Sequence, residues 1–442
     1  MPDEKAKKVP VVKRAGIPES ETDVAVEAHA REAAADAAMD AQGMIDELVQ
    51  QAQKALLAFM DMDQEQVDNI VHAMALAGLD QHVRLAKLAY EETGRGVVED
   101  KIIKNIFATE YIWHSIKGQK TVGIIEENEL EDYVEVAEPV GVVAGVTPVT
   151  NPTSTTLFKS LICMKTRNPI IFGFHPSAQK SSVEAARVMR DAAVKAGAPA
   201  DCIQWITAPS IAATNALMNH PGVSLVLATG GSGMVRAAYS TGKPALGVGP
   251  GNVPCYIEKT ARLERACTDL MLSKTFDNGM ICASEQSVVV LDSIYDRVKA
   301  EFVKRGCYVL NGEEIDKVRA TILINGALNA KIVGQSAHTI AALAGVDVPE
   351  TAKILIGEVT STDLSEAFAH EKLSPVLAMY RASDFTDAMN KADTLVKDGG
   401  YGHTASVYLD TVSGKEKLDA FAEKMKACRI LVNTPSSHGG IG

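Results

Sequence analysis

Hydrophobic positions in the first third of the chain recur at helical intervals, and from residue 134 onward they gather into short unbroken runs. From Val24 to Met60 an alanine-rich stretch that includes Glu32-Ala33-Ala34-Ala35 favours helix by propensity, with Gly43 as its weak point. After Asp63 a second helix is predicted, in which Val67, Ile70, Val71 and Met74 fall at i, i+3, i+4 and i+7 and Gly78 is the stop. A third runs from Gln81 to Glu92 and ends at Gly94. Ahead of these, residues 1–25 mix Lys, Glu, Pro and Ser with few apolar anchors and read as a disordered tail.

The run Val140-Gly141-Val142-Val143-Ala144-Gly145-Val146 has the character of a buried strand and leads into the polar loop Thr147–Thr156. Apolar segments then alternate with periodic ones: Pro169–Phe174, helix Ser181–Ala196, Cys202–Ile206, helix Ser210–His220 and Val223–Ala228. The alternation resumes at Ser287–Leu291 and continues through Ile294–Val303, Lys353–Val359, Pro375–Tyr380, Phe385–Val396 and Thr404–Leu409 to a last strand at Arg429–Asn433. Such spacing predicts parallel βαβ units with helices on both faces of their sheets. Two α/β domains follow: residues 26–266, which include the helical region, and 267–430, with 431–442 as a terminal strand and end. No short-period repeat is present.

Composition narrows the function classes. A formal net charge of −12 argues against a nucleic-acid surface and against docking to anionic membranes. No apolar run approaches the roughly 20 residues a membrane helix needs. The seven cysteines are an odd number, widely spaced and without a C-x-x-C pair, which is neither a disulfide framework nor a zinc cluster. The start is charged and lacks an apolar signal core, so the cytoplasm is the expected address.

Four segments carry candidate chemistry. Lys274-Thr275-Phe276-Asp277-Asn278-Gly279-Met280-Ile281-Cys282-Ala283-Ser284 is a turn-bearing loop that delivers a cysteine between a helical segment and a strand. A free thiol near pKa ~8.5 needs a nearby cation or helix N-terminus to act as a nucleophile. Cys163, Cys202 and Cys255 lie in apolar runs and read as small buried hydrophobes, whereas polar residues flank Cys282. Ala228-Thr229-Gly230-Gly231-Ser232-Gly233 joins an apolar strand to a helix, where backbone N–H groups can meet phosphate oxygens, although Arg236 breaks a strict G-x-G-x-x-G. A tight structural turn is the competing reading. Asn151, in Thr147-Pro148-Val149-Thr150-Asn151-Pro152-Thr153, offers an amide donor to a developing oxyanion; Asn-Pro is otherwise a common turn. His403, in a glycine-rich approach to a strand, is a candidate proton relay or a satisfied core histidine. The ten histidines show no metal-binding spacing, and no metal is expected.

Taken in order, these pieces resemble the aldehyde dehydrogenase superfamily from about residue 45 onward. Glu371-Lys372-Leu373-Ser374-Pro375 is similar to the family's E-x-F-G-P segment, whose glutamate holds the nicotinamide ribose hydroxyls. The likeness is nearest to the CoA-acylating branch and to the aldehyde dehydrogenase half of bifunctional aldehyde-alcohol dehydrogenases, through Phe276–Gln286, His370–Pro375, Gly402-His403-Thr404 and Asn433-Thr434-Pro435. It implies a Rossmann-like dinucleotide-binding domain, a second α/β catalytic domain and a small oligomerisation strand region near residues 130–145. It implies catalysis by Cys282, Asn151 and His403, with NAD(H) as cofactor and coenzyme A as co-substrate. The loop residues Thr147 and Pro148, with His175 and Ser177, would meet the cofactor. So would Thr229, Gly230 and Gly231 at the turn, and Gly249, Glu371 and Leu373 at the far side.

Two departures refine that expectation. Where hydrolytic members carry a glutamate that activates water, this chain reads Ala245-Leu246-Gly247-Val248-Gly249-Pro250-Gly251-Asn252-Val253-Pro254, and no acid stands between Ser240 and Glu258. Without that base a thiol acceptor is favoured over water. His175-Pro176-Ser177-Ala178 replaces the usual Lys-Pro-Ser-acid, so NAD over NADP rests on likeness alone. The expected reaction interconverts acetaldehyde, CoA and NAD with acetyl-CoA and NADH through a cysteine thioester, in at least a homodimer built through the strand near Val134–Val146 and the C-terminal strand. The chain stops at Gly442 without an obvious closing element, as a piece lacking a fused iron-dependent alcohol dehydrogenase half would; a monofunctional relative is the alternative. Rivals are a hydrolytic aldehyde dehydrogenase, a γ-glutamyl phosphate reductase-like enzyme, and a filament or microcompartment component with a vestigial site.

Overall fold

A computed structural model describes residues 21–440, with side chains from residue 40 onward. Of the expected tail, residues 1–20 lie outside the described part, and positions 21–25 begin the helix Glu21–Met60. That helix runs unbroken through Gly43. Gly78 does not stop the next helix, which spans Gln64–Asp80 behind a capping box at Asp63. It is instead a point of close approach: a Cβ there would meet Thr109 Cγ2 at 2.7 Å.

Five parallel strands form the first sheet, in the spatial order Ile203–Trp205, Ile170–Gly173, Val142–Val146, Val223–Thr229 and Ala245–Val248. Side-chain alternation covers both of its faces. Val142, Ala144, Val146 and Ile171 pack on Ile45 and Val49 of the first helix, while Val143, Ile170 and Phe172 pack on Leu157, Met189 and Val71. The chain starts at the central strand, moves outward one way, then returns and moves outward the other way. Such a reversal opens a crevice at the carboxyl ends of Val142–Val146 and Val223–Thr229, the usual ligand position in open α/β sheets. Val142–Val146 is paired on both sides, so no edge of it is free to join another subunit. The free pair in this region is the antiparallel hairpin Gly123–Asn128 and Tyr133–Ala137, with Ile124, Val134 and Val136 exposed.

The second sheet has seven parallel strands, in the order Tyr308–Val309, Leu355–Glu358, Val376–Ala382, Glu285–Leu291, Val253–Ile257, Gly402–Tyr408 and Ala427–Val432. Val376–Ala382, Glu285–Leu291, Val253–Ile257 and Gly402–Tyr408 are buried over nearly their whole length, as in a parallel sheet covered on both faces. Among the described residues no helix is long and apolar enough to cross a membrane.

Candidate active site

The two sheets meet end to end. Loops leaving the carboxyl ends of the first sheet face segments entering the amino ends of four adjacent strands of the second. Those segments bring Glu371 and Leu373 before Val376–Ala382, Cys282 before Glu285–Leu291, Gly249 before Val253–Ile257, and His403 at the start of Gly402–Tyr408. Between them lies a cavity of ≈ 680 Å³. Cys282, Asn151 and all ten residues expected to meet the cofactor line it. His403 does not: it stands beside the wall at Gly251, where an added Cβ would fall 2.0 Å from the Cys282 carbonyl oxygen and 3.1 Å from His403 Cε1. Only glycine fits at 251.

Local backbone accounts for the placement of Cys282. After the helix Leu263–Thr275, Asp277, Asn278 and Gly279 adopt successive left-handed conformations, with φ of 49°, 51° and 72°. Left-handed non-glycine residues cost about 1–3 kcal/mol each unless their surroundings over-determine them. Here they do. The Asp277 carboxylate is fully buried and accepts from Val97 N–H at 2.7 Å, Lys101 Nζ at 3.1 Å and Lys104 Nζ at 2.6 Å, and its own N–H donates to Asp100. Gly96 N–H donates to the Gly334 carbonyl, and Gly334 N–H to that of Leu373, which ties this helical region to the Glu371 segment.

Five of the seven cysteines are buried; only Cys282, half-buried, and Cys428 reach solvent. Burial pushes the thiols of Cys163, Cys202, Cys267 and Cys307 up to about 12. Cys282 is pushed up to about 11, by burial and then by the Glu371 carboxylate, against the pull of Arg429 and Lys104. Glu371 is itself raised to about 7 by burial and accepts a hydrogen bond from Gly251 N–H at 2.8 Å. The cavity therefore does hold a carboxylate, brought from a segment far in sequence from the one that lacks an acid. His403 is lowered to about 4, by burial and then by Arg429, so its ring is neutral at physiological pH; its Nδ1 lies 2.9 Å from Thr404 Oγ1.

On the first sheet, Gly231 caps the helix Ser232–Tyr239 without any side-chain hydrogen bond, leaving its first N–H groups available to an anion at the crevice. Lys159 is buried and donates to Val146 O and Leu227 O, 2.7 Å each, joining the two strands that flank the crevice. Burial lowers this lysine to about 7. Lys104, Lys159, Gly251 and Arg95, a cavity-lining cation, are absent from the sequence-based expectations. For Lys104 the only sequence signal is its i, i+3 spacing from Lys101 behind an acidic turn, a pattern that normally marks a solvated face.

The arrangement suits a nucleophilic thiol next to a nucleotide-binding crevice, and comparison with known proteins gives the family. The model of the aldehyde dehydrogenase family matches residues 17–440. The chain is 55 % identical over 395 residues to the bifunctional aldehyde-alcohol dehydrogenase of Escherichia coli strain K12, covering 89 % of this chain and 44 % of that protein. It thus spans less than half the length of that relative. An acetylating aldehyde dehydrogenase from Geobacillus thermoglucosidasius has a similar structure, with a TM-score of 0.88, 46 % identity and coverage of 92 % of this chain and 89 % of that one. So does Rhodopseudomonas palustris propionaldehyde dehydrogenase with bound CoA and an acylated cysteine, at a TM-score of 0.80 and 29 % identity, covering 89 % of each chain. By its two sheets, its ordered motifs and these matches, the chain belongs to the aldehyde dehydrogenase family.

Proposed function

We propose that this chain is a CoA-acylating acetaldehyde dehydrogenase, part of a bifunctional protein whose iron-dependent alcohol dehydrogenase half lies outside it. The observation that carries the reading is the joint presence of Cys282, Asn151 and the Gly230-Gly231 turn on one cavity. The reading extends to a dimer or higher oligomer, to a cytoplasmic address, and to a division into nucleotide-binding and catalytic domains.

The residues fit a nicotinamide dinucleotide. The uncapped helix start after Gly231 suits a pyrophosphate, and Glu371 suits ribose hydroxyls. When bound, the nicotinamide exchanges the hydride. The chain's own residues do the rest. In the reductive direction the Cys282 sulfur attacks the acetyl-CoA carbonyl carbon, a new C–S bond forms, and the oxygen's charge is met by the Asn151 amide and the Cys282 N–H. The C–S bond to CoA then breaks, leaving an acetyl-cysteine, and we read neutral His403, beside Gly251, as the group that steers CoA or relays the Cys282 thiol proton to its departing sulfur.

Acetyl-CoA-dependent oxidation of NADH tests this. Cys282→Ala should abolish turnover and retain NADH binding, and mass spectrometry of the unaltered protein with acetyl-CoA should place an acetyl group on Cys282. An acetyl on another cysteine, or none, would refute the assignment. One observation favours hydrolysis instead: Glu371, near neutrality and on the same cavity as Cys282, is a carboxylate of the kind that activates water. Rapid NADH formation from acetaldehyde and NAD without CoA would decide for that alternative.

A further inference from the structure

We propose that Lys104, which lines no part of the cavity, is the positioning residue of the oxyanion site, acting through Asn151. The inference rests on the reading of Asn151 as the oxyanion donor. Lys104 is 5 % exposed and lies on the helix Val98–Ile106, outside both sheets. Its Nζ is 2.7 Å from Asn151 Oδ1 and 2.6 Å from Asp277 Oδ2.

An ammonium can only donate, so the Asn151 atom it touches has to be the carbonyl oxygen. That fixes which way the amide faces. Its NH₂ group, whose protein partner is the Thr150 hydroxyl at a long 3.3 Å, is left to the cavity side as a donor. The charge on Nζ also polarises the amide, drawing electron density to Oδ1 and strengthening the N–H groups as donors. The second bond of Lys104 runs to Asp277, five residues before Cys282, so one cation spaces the donor from the loop that carries the nucleophile. Lys101 shares the Asp277 carboxylate but does not reach Asn151, and the two lysines are therefore not equivalent.

The test is the acylation burst with p-nitrophenyl acetate, which needs neither nicotinamide nor CoA. The Cys282 sulfur attacks the ester carbonyl, a C–S bond forms, the C–O bond breaks, and nitrophenolate departs with the electron pair while the thiol proton goes to solvent. Each burst rate is divided by the same protein's iodoacetamide alkylation rate, which cancels differences in thiolate fraction. Lys104→Met should lower the corrected rate about 10–100-fold, part of the loss expected for deleting an oxyanion donor outright. In an Asn151→Ala background it should lower it no further. Lys104→Gln, neutral but able to donate to Asn151 Oδ1, should retain most of the rate, and Lys104→Leu, which cannot donate, takes the place of Lys104→Met in the cycle if that variant does not fold. Losses that multiply across the two sites, or an unchanged rate, overturn the proposal. A burst that is absent, or that survives Cys282→Ala, overturns it together with the nucleophile assignment. Failure to reduce acetyl-CoA in a protein that shows the expected cycle would count against the proposed function alone.

Discussion

Opposed charges act on the sulfur of Cys282, and their signs can be read separately. The Glu371 carboxylate disfavours a neighbouring thiolate, whereas the Arg429 guanidinium favours it. Replacing Glu371 by Gln removes negative charge, so the pH at which iodoacetamide alkylation reaches half its maximum should fall below about 11. Arg429→Gln should move the same midpoint upward. Midpoints that stay in place in both variants would mean that burial alone governs the thiol. The same carboxylate explains how a resting thiol could be activated. Glu371 is raised to about 7, so its protonation, or its engagement by a hydroxyl-bearing ligand, takes charge away from the sulfur. Cys282 could be picked out from the sequence because turn-forming polar residues surround it, unlike the cysteines in apolar runs. Its supporting cations could not. Lys101 and Lys104 look like one charged face of an ordinary surface helix, and only the fold reveals that both are buried against Asp277.

Between elements, Gly78 shows how one residue type supports two readings. A glycine near the end of a periodic stretch is a fair helix stop, but it also permits close packing, and the sequence does not separate the two. In the structure the helix continues to Asp80 and Gly78 faces Thr109, Leu157 and Met189. Alanine at 78 would gain about 1 kcal/mol of helix propensity. Its Cβ would lie 2.7 Å from Thr109 Cγ2, an overlap of the kind that costs about 1–3 kcal/mol. The second effect should prevail, so Gly78→Ala is expected to lower the thermal unfolding midpoint. An unchanged or higher midpoint would show that Thr109 yields freely. Strand identities were the most legible feature, because alternate residues of Val142–Val146 serve opposite faces and the run is apolar throughout. The hairpin at 123–137 was not, since its strands are mostly exposed and carry glutamates that mask the period of two.

Across the whole molecule, the cavity belongs to neither sheet alone. Thr229, Gly230 and Gly231 come from one, Cys282, Glu371 and Leu373 from the other. A dinucleotide held by both sets would bind only when they are apposed, and so would stabilise the folded chain through linkage. At 100 times its Kd the gain is about 2.7 kcal/mol. Saturating NADH should therefore raise the unfolding midpoint, measured by calorimetry, whereas adenosine monophosphate at the same multiple of its Kd should raise it without protecting Cys282 from alkylation. Equal protection by both would mean that the nicotinamide end stays clear of the sulfur. The motifs were readable in order along the chain; that carboxyl ends of one parallel sheet oppose amino ends of the other was not, because end-to-end apposition is set by contacts hundreds of residues apart.

The Lys159 bridge has a consequence for alkaline conditions. Three protons sit on its amino group and two carbonyls receive them, so titration near pH 7 sheds the spare one and both links can persist. The gap into which a nucleotide would slide should keep its gauge while the charge beneath it disappears. Changes in affinity over that interval would then report electrostatics rather than a change in shape.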